Sequence, residues 1–247
     1  MSMQRNYFIL DGKSSAEFGA YIATSNAFDG AEHDEEIVEI PGRNGALIFS
    51  NGRYKNVVAE IACYMPRDMR TNVDGLRSYL STKHGYCRYE EAVKPNEYRL
   101  ARFLGPFSLS ASDRVGAAFT LSFDMKPQRF LKTGELPIRY TTNSTIYNPT
   151  LYTAEPRFRL VGTPGENAAF NIGGTRQIQF IFPESGSVTV DTAIGEAYDT
   201  DGTSLNNIIY FPPANADQYF PVIKPGENTV SMYNVDYVDI VPRWWTI

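Results

Sequence analysis

Residues 119–127, FTLSFDMKP, decide the fold class. Phe119, Leu121, Phe123 and Met125 alternate with Thr120, Ser122 and Asp124. Successive side chains of a strand point to opposite faces, so this period of two predicts a strand with one face in a core and one in water. Lys126-Pro127 is expected to interrupt it. Similar short β-rich runs, separated by turn signals, fill most of the chain, beginning with Tyr7–Leu10 before Asp11-Gly12 and then Tyr21–Thr24. From Gly45 to Tyr64, Asn51-Gly52 separates LIFS from YKNVVAEIACY, and the pair supplies the positive φ angles of a tight turn, which predicts a hairpin.

One stretch breaks the β pattern. Met69, Val73, Leu76 and Leu80 recur at spacings of four, three and four, which predicts a single helix over about 67–82. Pro66 and Asp68 suit its first turn, Lys83 and His84 its last, and Gly85 its stop. The turn-prone segment 132–145 predicts a domain boundary, giving residues 1–134 as a β domain with one helix and 135–247 as a second β domain. Beyond it, Arg157–Val161, a hairpin around Gly173-Gly174, Val188–Val190, Ile208–Phe211 and Tyr233–Val241 predict a second sandwich or jelly roll.

Composition excludes several classes of function. The 247 residues include 15 Phe and 16 Tyr, enough apolar surface to exclude wholesale disorder. A net charge of −5, with no clustered basic face, argues against duplex binding. Arg99 with Arg102 and Arg157 with Arg159 read as solvated faces of strands. No apolar run is long enough to span a bilayer, and MSMQRNYFILDG lacks a signal-peptide core, so a soluble chain not exported by that route is expected. Cys63 and Cys87 are expected to be reduced, buried thiols.

The residues of chemistry do not assemble into a motif. His33 lies in an acidic stretch and His84 at the helix end, and neither serves a nucleophilic triad. The His84-x-x-Cys87 pair has no second pair to complete a zinc site, so no metal, cofactor or catalytic residue is expected. Glu90 and Glu91 are adjacent and diverge on a strand, and Asp199 with Asp201 and Gly202 reads as a turn rather than a calcium loop. The Gly42–Gly45 run lacks a Walker lysine and reads as a loop with glycine at its corners. Trp244 and Trp245 are expected to split, one indole inside and one partly outside, the outer one being a candidate ligand contact.

The order FGAYIATS, IPGRNG, Gly-rich hairpin, helix, KPQRFL, PGENT and PRWW resembles the distal tail protein family of long, non-contractile-tailed phages and prophages, and spans nearly the whole chain. Asn148-Pro149 resembles the start of that family's second domain. The resemblance implies a tail-tube-like N-terminal β-sandwich or split barrel with one α-helix, then a galectin-like or carbohydrate-module-like β-sandwich. It also implies a non-enzymatic subunit of the virion tail tip, made and assembled in the host bacterial cytoplasm. Its partners would be five further copies in a hexameric ring, the tail tube protein above and the tail-tip hub protein below. The tape measure and receptor-binding proteins are further candidates, and DNA would pass through the lumen without specific binding. Pro41, Gly42, Arg43, Asn44, Gly45 and Tyr54 are the candidate ring or stacking contacts. The alternative is a carbohydrate-binding or receptor-binding module at the tail tip.

Overall fold

The computed structural model describes residues 5–25, 27–67, 69–112, 116–174, 177–210 and 220–247. Asp68, the side chain of Met69, Phe211 and the first four residues of the N-terminal motif lie outside the described residues. The chain divides into two units, Met1–Arg129 with Ile247, and Phe130–Thr246.

The first unit contains β1 (Phe8–Leu10), β2 (Lys13–Ser14), β3 (Tyr21–Thr24), β4 (His33–Glu39), β5 (Ala46–Tyr54) and β6 (Val57–Met65). Helix α1 (Met69–Ser81), β7 (Cys87–Glu91), β8 (Glu97–Phe103), β9 (Leu109–Ser112) and β10 (Ala117–Leu131), whose last two residues belong to the second unit, follow. One curled sheet runs β2-β1-β7-β8-β10-β6-β3, with β9 also on β10. Asp11 and Gly12, at φ 48° and 81°, make the tight β1–β2 turn.

The apolar face of β10 is buried at Phe119, Leu121, Phe123 and Met125, and Phe123 meets Phe8, Tyr89 and Phe103 at centroid distances of 5.9, 5.4 and 5.7 Å. Val73, Leu76 and Leu80 place one face of α1 against this core. Tyr79 fixes the helix by donating its hydroxyl to the Leu10 carbonyl at 2.5 Å. The helix ends at Ser81, earlier than expected, so Lys83 and His84 fall beyond its last turn. Lys83 instead pairs with Asp11 at 2.5 Å.

Three expectations for this unit are corrected. Pro127 does not interrupt β10, which continues to Leu131. Ser122 turns its carbonyl toward Leu104, so by alternation residue 127 faces β6, whose pairing has already ended at Val57–Met125. The missing proline N–H therefore costs no ladder bond. Asn51-Gly52 is not a hairpin turn, because β5 pairs with β4 while β6 pairs with β10 and β3. The register passes from His33–Tyr54 to Glu35–Ser50, so Asp34 faces three residues, Asn51, Gly52 and Arg53. Gly52, at φ 67°, takes the left-handed conformation inside a bulge. Arg99, finally, is buried rather than solvated, and only 5% exposed. It donates to the Lys126 carbonyl at 3.2 Å, its Nε has no partner among the described residues, and burial lowers its pKa to about 10.

The second unit contains β11 (Ile138–Tyr140), β12 (Ser144–Asn148), β13 (Arg157–Val161), β14 (Asn167–Ile172) and β15 (Ile178–Ile181). Then come β16 (Ser187–Asp191), β17 (Glu196–Tyr198), β18 (Gly226–Tyr233), β19 (Tyr237–Val241) and β20 (Trp245–Thr246). Two antiparallel sheets, β11-β19-β13-β16-β17 and β12-β18-β14-β15, form a β-sandwich. Alternate residues from both sheets fill its core, with Phe158 of β13 and Phe170 of β14 at 4.7 Å. The expected β14–β15 hairpin is present, with Gly173 and Gly174 at φ 61° and 60°. The run Tyr233–Val241 is not one strand, because Asn234, at φ 52°, separates β18 from β19.

Candidate functional site

The IPGRNG segment forms the tip of the β4–β5 hairpin. Gly42 and Gly45 both have positive φ, 82° and 81°, and the Arg43 N–H donates to the Ile40 carbonyl at 3.1 Å. Pro41, Gly42, Arg43, Asn44 and Gly45 are all exposed. Tyr54, at the far end of β5, is half-buried and packs against His33 at 4.5 Å. The structure thus places all six predicted contact residues on one hairpin, with Tyr54 at the opposite end from the other five.

The strands β4 and β5 pair with each other alone among the described residues, and no residue of either is buried. Directly opposed residues of an antiparallel pair share a face. One face carries the Ile37–Ile48 pair, 67% and 62% exposed, and the other carries Phe49, 56% exposed, beside the Val38–Leu47 pair. A lone two-stranded hairpin is marginal in water, and this one carries apolar surface on both of its faces. Sequence reading missed Ile37, Ile48 and Phe49, since β4, HDEEIVE, shows no single buried face.

Charge is uneven across the hairpin. Asp34, Glu35, Glu36 and Glu39 lie on β4, whereas Arg53 lies on β5 and Arg43 at the tip. Arg53 Nε donates to Asp34 at 2.6 Å, and this bond holds the Asp34 carboxyl below the usual range.

The residues read for chemistry are occupied locally. Glu91 is buried and accepts from Ser25 and Tyr89, while Glu90 accepts from Arg88 Nε on a neighbouring position of β7. Asp199 accepts from Ser185 and the Thr200 N–H, and Asp201 from the Thr203 N–H, which makes this segment a turn. These bonds lower the pKa of both carboxyls. No group of three or more His, Cys, Asp or Glu among the described residues is placed to hold a metal ion. Trp244 is buried, at 5% exposure. Trp245 is half-buried, with one face stacked on Tyr152 at 4.5 Å and its Nε1 donating to the Thr153 carbonyl at 2.9 Å.

A curled sheet with one helix, followed by a two-sheet sandwich, is the fold of the Dit type of phage tail hub protein. The crystal structure of the SPP1 Dit protein, described as a paradigm of the hub adsorption apparatus in Gram-positive-infecting phages, has TM-score 0.77 to this chain. The alignment covers 99% of this chain and 100% of that one at 12% identity. A chain of the phage P2 baseplate in its activated conformation with Ca has TM-score 0.59 at 10% identity, covering 96% of this chain and 97% of that one. A chain of the phage p2 baseplate with Sr has TM-score 0.57 at 9% identity, covering 96% of each. No family model and no curated protein matches the sequence.

Proposed function

We propose that the chain is a structural subunit of a phage tail tip, assembling as a hexameric ring that joins the tail tube to the tail-tip hub protein and surrounds the DNA channel. The carrying observation is the β4–β5 hairpin, which has no buried residue and carries Ile37 and Ile48 on one face and Phe49 on the other. The fold it shares with the SPP1 Dit protein and a chain of the phage P2 baseplate supports the same reading. An acid-rich β4 edge repels its own copy, which disfavours a two-fold contact of like with like. A head-to-tail contact avoids that repulsion, and such a contact closes into a ring when the rotation per subunit fits. Acidic residues on a lumen wall would also repel DNA phosphates and let the genome slide.

Light scattering of the purified chain, with negative-stain imaging of the large species, tests the reading. A mass of six chains with a central hole is expected. A mass that stays at one chain up to about 1 mM, where a contact supplies only about 4 kcal/mol, refutes self-assembly through this hairpin.

A further inference from the structure

The outward face of the β12-β18-β14-β15 sheet carries a row of four side chains set by register. Tyr233 of β18 lies opposite Ala169 of β14, Ala169 lies opposite Gln179 of β15, and Gln179 exchanges backbone bonds of 2.9 and 2.7 Å with Tyr210. Directly opposed antiparallel residues share a face, so all four point away from the core. Three strand spacings separate the two tyrosines, about 14 Å. Between them the small Ala169 lowers the floor, and the result is an open groove of about 480 Å³. That volume lies within the range of ordinary small-ligand sites, roughly 300–1,000 Å³.

Three properties of the groove select a ligand class. Tyr210 and Tyr233 are 57% and 64% exposed although both line a concavity, so each presents ring surface to whatever enters. Gln179 and Asn167 bring side-chain amides to the lining, and no described group bonds either amide. An amide both donates and accepts, as a hydroxyl pair requires. Among the described residues that line the groove none is charged, so these residues supply no counter-ion to a phosphorylated, acidic or basic ligand. A wholly apolar ligand would leave the amides and phenol hydroxyls desolvated without bonds. The ligand that satisfies every wall has an apolar C–H face for the aromatic rings and a neutral hydroxyl rim for the amides.

We infer that the groove between Tyr210 and Tyr233 binds a neutral oligosaccharide. Neither Trp244 nor Trp245 lines this site, and it is independent of the ring reading, since all of its residues lie in the sandwich unit. The test uses the full chain and saturation-transfer NMR with neutral trisaccharides of glucose, galactose and N-acetylglucosamine, beside trigalacturonic acid as the charged counterpart. At least one neutral trisaccharide is expected to bind with a dissociation constant near or below about 1 mM, and Tyr210→Ala and Tyr233→Ala each to weaken it about tenfold. Both tyrosines are exposed, so neither variant should unfold. Ala169→Trp, which fills the floor, should abolish binding, and Tyr147→Ala, an exposed tyrosine of the same sheet, should leave it unchanged. No neutral binder at about 10 mM, affinity retained in both groove tyrosine variants, or preference for trigalacturonic acid overturns the inference.

Discussion

The double substitution Ile37→Thr with Ile48→Thr separates assembly from folding. These residues oppose each other across β4 and β5 and remain 67% and 62% exposed, so about two thirds of each side chain is still in water. Full burial of an aliphatic side chain contributes about 1.5–3 kcal/mol, which leaves about 1–2 kcal/mol for each to gain in a contact between copies. Threonine keeps the β-branched shape that suits a strand but forfeits most of that gain through its hydroxyl. A loss of about 2–4 kcal/mol per subunit contact is, at about 1.4 kcal/mol per tenfold, roughly 30- to 700-fold in association constant. Light scattering across a dilution series should show the assembly midpoint moving up by at least that lower factor. Thermal unfolding of the dilute monomer should fall by under about 4 °C, since exposed substitutions change stability by only about 0.5 kcal/mol each. Unchanged assembly would refute the role given to this face, and a large fall in melting temperature would refute its exposure.

Asp191 is buried; burial raises its pKa, but the bonds from Arg243 Nη1 and Nη2, both 2.6 Å, outweigh that and leave it lowered. Its contribution to stability is therefore full above the unfolded carboxyl pKa of about 3.9 and lost as pH falls through the lower folded value. Asp191→Asn should be less stable than wild type at pH 7 by about 2–3 kcal/mol in urea unfolding, with the gap closing at acid pH. Gly134→Ala should destabilise the sandwich by about 1–3 kcal/mol in thermal scans, because the added Cβ would lie 2.4 Å from the backbone nitrogen of Trp244. Burial, then the nearby Glu91 charge, pushes the Cys63 thiol up to about 12, so iodoacetamide at neutral pH should leave it unmodified in the folded chain and label it after denaturation. Mass spectrometry of the digested protein reads this directly.

The legible parts of the fold were those with one buried and one wet face. Phe119 to Met125 and the stripe of Val73, Leu76 and Leu80 carry their periodicity because a core selects it. Strand β4 carries no such selection, for both of its faces are exposed, and HDEEIVE therefore reads only as an acidic stretch. Asn51-Gly52 was legible as a place of positive φ but not as a bulge, since the same glycine conformation serves both and only the partner strand decides. Arg99 reads as solvated from its alternation, and its burial depends on neighbours far away in sequence, including Lys126. The loop at 40–45 was legible as a loop because its glycines cluster. Tyr210 and Tyr233 could not be brought together, since it is the register through Ala169 and Gln179 that aligns them.

The absence of any buried residue from the β4–β5 hairpin divides the sequence into two sets of instructions. The core of the first unit, from Phe8 to Met125, is complete without a side chain from 33–54, so changes in that segment escape the penalty that packing imposes elsewhere. The hairpin can drift, lengthen or be exchanged while the rest of the chain still folds. If the hairpin makes the contacts proposed for it, selection on it comes from neighbouring molecules, and closely related chains would diverge here in the company they keep.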